Sequence, residues 1–173
     1  MIDYCHNVDG MRQLADFVRR MMAEPQTKAG RLRPATNGST GNGRAIGVIG
    51  IPGDRRDDDQ REYGALAAAA FDEIIVREDK NLRGRAPGVA ASNVVDGIRA
   101  ARGNGGARTT RAEKILEEMS AVRTALRRAN PGDLVVMCVD DAIGVYRVAM
   151  AAAGHARGNT AFADPGELEA PEG

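Results

Sequence analysis

The sequence predicts an α/β domain, Rossmann-like, with a mostly parallel sheet flanked by helices. Two observations carry this. Apolar runs of strand length alternate with stretches of helical periodicity from Met1 to about Ala152, and such alternation implies right-handed crossovers between parallel strands. The run Leu134–Val139 is unbroken apolar sequence, the pattern of a strand covered on both faces.

Each element follows in order. Ile2 and Tyr4 alternate with Asp3 in Met1–Cys5, a strand that begins at the first residue; a strand opening with no lead-in reads as a cut inside a longer polypeptide. Asp9 is placed to cap the next helix, in which Met11, Leu14, Ala15, Val18, Met21 and Met22 form one apolar face and Pro25 marks the end. Residues 26–44 are rich in Gly, Asn, Ser, Thr and Pro and read as a surface loop. Ala45–Ile49 is a buried strand, and Asp57–Phe71 a helix with Tyr63, Leu66, Ala67, Ala70 and Phe71 on one side. Glu73–Arg77 is the next strand. Pro87 opens a helix whose inner face is Ala90, Ala91, Val94, Ile98 and Ala101. Arg111–Leu116 has helix-like composition, but a short strand there, before a helix over Glu117–Ala129, keeps the alternation. Pro131-Gly132-Asp133 is a turn, Leu134–Val139 a strand and Ala142–Ala152 the last helix. One domain over residues 1–153 and a flexible Gly/Pro/Glu-rich tail over 154–173 are expected.

Composition narrows the function. Lys+Arg and Asp+Glu are both 24, so the net charge is zero, which argues against nucleic acid and against a polybasic membrane anchor. Aromatic residues are 3% with no Trp, few for stacking platforms. No apolar run reaches the roughly 18 residues of a spanning helix. Cys5 and Cys138 are too few for a disulfide framework and read as reduced thiols of a cytoplasmic protein.

In an open parallel sheet, ligands meet the loops at the carboxyl ends of the strands. Three such loops are polar: Asp3 with His6-Asn7, then Gly50–Asp57, then Arg77–Arg85. A metal site is not expected, because the only other His is His155 in the tail. Cys5 fits a buried small hydrophobe better than a nucleophile. Gly38–Ala45 has the glycine spacing of a phosphate loop, but Arg44 and Ala45 replace the Lys and the hydroxyl, and it precedes a strand rather than following one. Gly47, Gly50 and Gly53 give a tight turn, not a dinucleotide fingerprint. The chain therefore lacks a triphosphate cradle of its own.

DYCHN at Asp3–Asn7, GDRRD at Gly53–Asp57 and REDKNLRGR at Arg77–Arg85 together resemble the C-terminal domain of the Mur ligase superfamily, and within it the cyanophycin synthetase branch more than the peptidoglycan ligases, whose motif is of DNPR type. The resemblance implies an ATP-dependent ligase that phosphorylates a carboxylate and lets an amine attack the acyl phosphate, here arginine joining the aspartate β-carboxyl of a poly-aspartate backbone. It implies nucleotide contacts from Asp3, His6 and Asn7. It further implies amino-acid contacts from Glu78, Asp79, Asn81, Arg83 and Arg85, with Asp54, Arg55 and Asp57 in support. A carboxylate such as Glu78 or Asp79 suits a guanidinium fork, and Arg83 or Arg85 a substrate carboxylate; Asp57 is also placed to cap the following helix. ATP and Mg²⁺ belong to the intact enzyme, together with upstream ATP-grasp and central P-loop domains and a homo-oligomeric state, so the chain alone is expected to be inactive. A peptidoglycan-ligase domain and a non-catalytic arginine- or nucleotide-binding module are the competing readings.

Overall fold

A computed structural model describes residues 1–23 and 43–156. Five strands, β1 (Ile2–Asp3), β2 (Ala45–Ile49), β3 (Glu73–Val76), β4 (Arg111–Lys114) and β5 (Leu134–Cys138), alternate with five helices, α1 (Val8–Ala23), α2 (Asp57–Ala68), α3 (Val89–Gly103), α4 (Glu118–Arg128) and α5 (Ala142–Ala156). The strands form one sheet in the order β1-β5-β2-β3-β4, every neighbouring pair parallel. The expected α/β class with a parallel sheet is what forms.

The period-two alternation of strand side chains divides the core. Ile49, Ile74, Val76, Val136 and Cys138 pack against α1, α2 and α3, while Ile46, Val48, Ile75, Met137 and Val139 pack against α4 and α5. Helices thus cover both faces, which is why β2 and the Ile74–Val76 run of β3 are apolar without alternation. α2 and α3 approach very closely. A Cβ on Gly64 would collide with the Val94 carbonyl oxygen, and one on Gly97 with that of Arg61.

Several boundaries differ from the sequence reading. α1 is capped by Asn7, not Asp9: the Asn7 Oδ1 accepts the Gly10 N–H at 2.7 Å, and Asp9 instead pairs with Arg12 at 2.6 Å. Met21 is only half-buried, unlike the rest of its face. Asp57 does not cap α2 either; it is the first helical residue, and Arg56 holds the cap position without a side-chain bond. α2 stops at Ala68 rather than Phe71, and Thr109 engages the chain just there, its Oγ1 lying 3.1 Å from Ala68 O and 2.7 Å from Phe71 O. α5 runs on to Ala156, past Gly154; a single glycine costs a helix only about 1 kcal/mol and alanines surround it. Pro25, the 26–42 part of the expected loop, and the expected tail beyond Ala156 lie outside the described residues. No described helix is long and apolar enough to cross a membrane.

Candidate functional site

Because all five strands point the same way, their carboxyl ends share one edge, and the three polar loops come together there. The loop after β5, Asp140-Asp141, joins them.

Arg77 organises this edge. It follows β3 directly and is 3% exposed. Its Nε donates to Cys138 O at 3.1 Å, so the side chain spans from β3 to β5 across the end of β2. The crossing needs Gly50, where a Cβ would stand 2.8 Å from that Nε. The guanidinium then binds Asp79 at 2.7 Å and Asp140 at 2.9 and 3.3 Å, and lies 3.4 Å from Glu118. Three carboxylates face one guanidinium. Burial raises the Asp79 carboxyl above its ordinary range; Arg77 pulls it down and Asp140 pushes it up again. Glu118 in turn accepts the Asp140 and Asp141 backbone N–H groups at 2.7 and 3.0 Å, shaping the β5 loop. The sequence reading missed Asp140 and Glu118 as site residues. Asp140 stands just past the apolar run of β5, the same place relative to its strand as Glu78 to β3, and that was the available signal. Nothing local marks Glu118.

The β2 and β3 loops pack backbone to backbone. A Cβ on Gly53 would strike the Leu82 carbonyl. Arg85 fastens them by donating to Gly53 O at 2.5 Å, Arg55 O at 2.8 Å and Asp57 Oδ1 at 2.6 Å. Asn81 accepts the Arg83 N–H at 3.0 Å, holding Arg83 at φ 50°, and Arg83 reaches Asp54 at 3.1 Å. Glu78 accepts the Gly88 and Ala91 N–H groups at 2.8 and 3.3 Å, so its carboxylate caps α3.

The β1 loop supplies the other end. Asp3 sits opposite Cys138 in the ladder, and its carboxylate accepts no hydrogen bond among the described residues. The His6 Nδ1 lies 2.9 Å from Tyr4 O, and its ring rests 4.9 Å from the exposed Tyr4 ring, an aromatic rim residue the composition gave no reason to expect. Between this loop and the β2 loop lies a cavity of about 280 Å³ lined by Asn7, Val8, Asp9, Ile51, Arg55 and Asp59. The Arg55 Nε is buried with no hydrogen-bond partner, and the N-terminus of α1 opens on the same space. Among the described residues no group of three or more His, Cys, Asp or Glu is placed to hold a metal ion.

The edge thus carries two unlike corners, one acidic around Asp79 and Asp140, the other with a spare guanidinium N–H. The family model for the Mur ligase, glutamate ligase domain matches residues 26–138. The chain belongs to the Mur ligase family. A cyanophycin synthetase of Synechocystis sp. is 38% identical over 137 residues, covering 79% of this chain and 13% of the relative; that of Crocosphaera subtropica is 34% identical over the same shares. A UDP-N-acetylmuramoyl-L-alanyl-D-glutamate–2,6-diaminopimelate ligase of Synechococcus sp. is 26% identical over 79% of the chain and 22% of its own length. This Mur ligase domain therefore spans 13% of the length of the cyanophycin synthetases it matches. A solved diaminopimelate ligase structure superposes with a TM-score of 0.56 at 19% identity, covering 87% of this chain and 28% of that one. A murein peptide ligase from Psychrobacter arcticus gives 0.54 at 13%, covering 94% and 28%; both share the fold.

Proposed function

We propose that this chain serves as the terminal ligase domain of a cyanophycin synthetase-type enzyme, in which arginine is joined to the β-carboxyl of aspartate in a poly-aspartate backbone by way of an acyl phosphate. The observation that carries the reading is the buried, unpartnered Arg55 Nε beside a cavity on the same edge as the Asp79–Asp140 corner. A free amino acid with a cationic side chain presents both signs, and this edge offers a partner for each. Asp79 and Asp140 receive the guanidinium. Arg55, rather than the already engaged Arg85, receives the carboxylate. Glu78, Asn81 and Arg83 act one step back, by fixing the loops that carry these groups.

Asp3 meets the ribose of the nucleotide, its carboxylate being uncommitted, and His6 with Tyr4 lines the same side; Asn7 holds the corner through its cap. ATP and Mg²⁺ are gripped by a P-loop domain outside this chain, so the isolated chain is inactive in this cytoplasmic ligase. Similarity to cyanophycin synthetases over 79% of the chain supports the reading.

The test is a chimera. The matching 137-residue segment of the Synechocystis enzyme is replaced by this chain, and incorporation of labelled arginine into a poly-aspartate primer is followed. Restored incorporation supports the proposal. A folded, ATP-binding chimera that incorporates no arginine while the parent does so overturns it.

A further inference from the structure

The seam between α2 and α3 carries a buried polar pair. Gln60 is fully buried and Asn93 is 7% exposed. The Asn93 Nδ2 donates to Gln60 Oε1 at 2.8 Å, and the Gln60 Nε2 donates to Pro52 O at 3.3 Å. Gly64 and Gly97, where the two helices touch backbone, stand one turn further along α2 and α3, so the pair shares their faces. Pro52 O also accepts the Arg55 N–H at 3.2 Å, which closes the turn Pro52–Arg55. Both lone pairs of that carbonyl are then used.

The direction of this relay is fixed. A carbonyl only accepts, so Gln60 must turn its NH2 toward Pro52 and its Oε1 toward α3, where Asn93 answers with its own NH2. An apolar pair of the same shape would seal the seam nearly as well. It could not donate to Pro52 O.

We propose, on the ligase reading above in which Arg55 takes the substrate carboxylate and Asp79 with Asp140 its guanidinium, that Gln60 and Asn93 are positioning residues for the amino-acid substrate. Through Pro52 O they hold the Arg55 turn in register with the Asp79 corner. α3 is the common reference. Glu78, the chain neighbour of Asp79, accepts the Gly88 and Ala91 N–H groups and so ties the β3 loop to the start of α3. Asn93 stands two residues after Ala91 and ties the β2 loop to the same helix through Gln60. Arg85 holds Gly53 O and Arg55 O of that turn; the amide relay adds its third carbonyl, Pro52 O. A substrate that bridges the two corners is thereby offered a fixed span, and loosening either amide lets Arg55 drift without touching any group that meets the nucleotide.

Two measurements test this. In the whole chain, Asn93→Leu removes the donor to Gln60 while keeping a branched side chain, and the Arg55 backbone N–H is expected to exchange with deuterium about tenfold faster. An Arg55 N–H that exchanges at the same rate in both chains, or is unprotected already in the unaltered one, overturns the proposal. In the chimera described above, Asn93→Leu should raise KM for arginine about 5- to 20-fold, leave KM for ATP within about twofold, and add nothing further to Arg55→Ala, since it acts through Arg55. Equal rises for both substrates, or the full rise on top of Arg55→Ala, overturn the positioning role. Gln60→Met removes the donor to Pro52 O directly, is read in the same way, and decides if Asn93→Leu does not fold. Failure of both variants to fold would assign the pair to the fold and overturn the proposal. A chimera of the unaltered chain that incorporates no arginine refutes the ligase reading alone, and the exchange at Arg55 still decides the relay.

Discussion

Replacing Arg77 with methionine keeps most of the side chain's volume and removes its charge, so it isolates what the guanidinium holds. In the native edge that group is 3% exposed, donates to the Cys138 carbonyl and binds Asp79 and Asp140, with Glu118 close by. Without it, Asp79 and Glu118, whose side chains are 13% and 5% exposed, are left as buried carboxylates without their counter-charge. Removing one partner of a buried ion pair costs about 3–5 kcal/mol. Asp140 is 35% exposed, so water takes over much of its share, and the lower end is expected: about 3 kcal/mol at pH 7. For a chain of this size that lowers Tm by roughly 6–12 °C.

The pH dependence has a definite sign. Asp79 already titrates above its ordinary value of 3.8, because of burial first, and loss of Arg77 raises it further. A carboxyl raised in the folded state destabilises at pH above its folded pKa and ceases to do so as it protonates. The gap between the native chain and Arg77→Met is therefore widest at pH 7 and narrows toward pH about 4. Urea unfolding followed by circular dichroism at both pH values measures it. Arg77→Lys, which keeps the charge but loses the fork, falls between the two. A cost below about 1 kcal/mol at pH 7, or one that does not shrink on acidification, would refute the brace.

Two further outcomes are expected. Gly97→Ala should lower stability by roughly 1–3 kcal/mol, because its Cβ meets the Arg61 carbonyl oxygen, whereas Gly103→Ala, with nothing within 4 Å of its Cβ, should leave the thermal unfolding midpoint unchanged or raise it slightly. In the arginine-incorporating chimera, Asp3→Ala should raise KM chiefly for ATP and Asp79→Asn chiefly for arginine; equal effects on both substrates from either change would contradict the division of the edge.

Most of the architecture was legible because strands covered on both faces leave an unmistakable apolar signal, as in Ala45–Ile49 and Leu134–Cys138. β4 was the hard element: Arg111–Lys114 contains no large apolar residue and forms because it lies against β3 at the sheet edge, with the Arg128 guanidinium bridging Glu73 and Glu113. The polar loops were found by their place after strands. What each side chain does inside them was not, since that depends on which neighbour arrives from elsewhere. Glu78 reads like a free carboxylate until α3 presents its N-terminus to it, and Arg85 reads like a free guanidinium until the β2 loop supplies two carbonyls.

The polar groups on this edge divide by what they already hold. Groups that reach backbone N–H or C=O groups of another loop are consumed in holding that loop: Asn7 on α1, Glu78 on α3, Glu118 on the β5 loop, Arg85 on the β2 loop. Groups left over are those that no neighbouring loop engages. The Asp3 carboxylate and the Arg55 Nε fall in that class, whereas Asp79 and Asp140 are held by Arg77. Leaving a buried guanidinium N–H unpaired costs roughly 1–3 kcal/mol, a cost that an anion bound there would offset. Under the proposed ligase reading these few open groups take a ligand, and the two signs they present fit one that carries both.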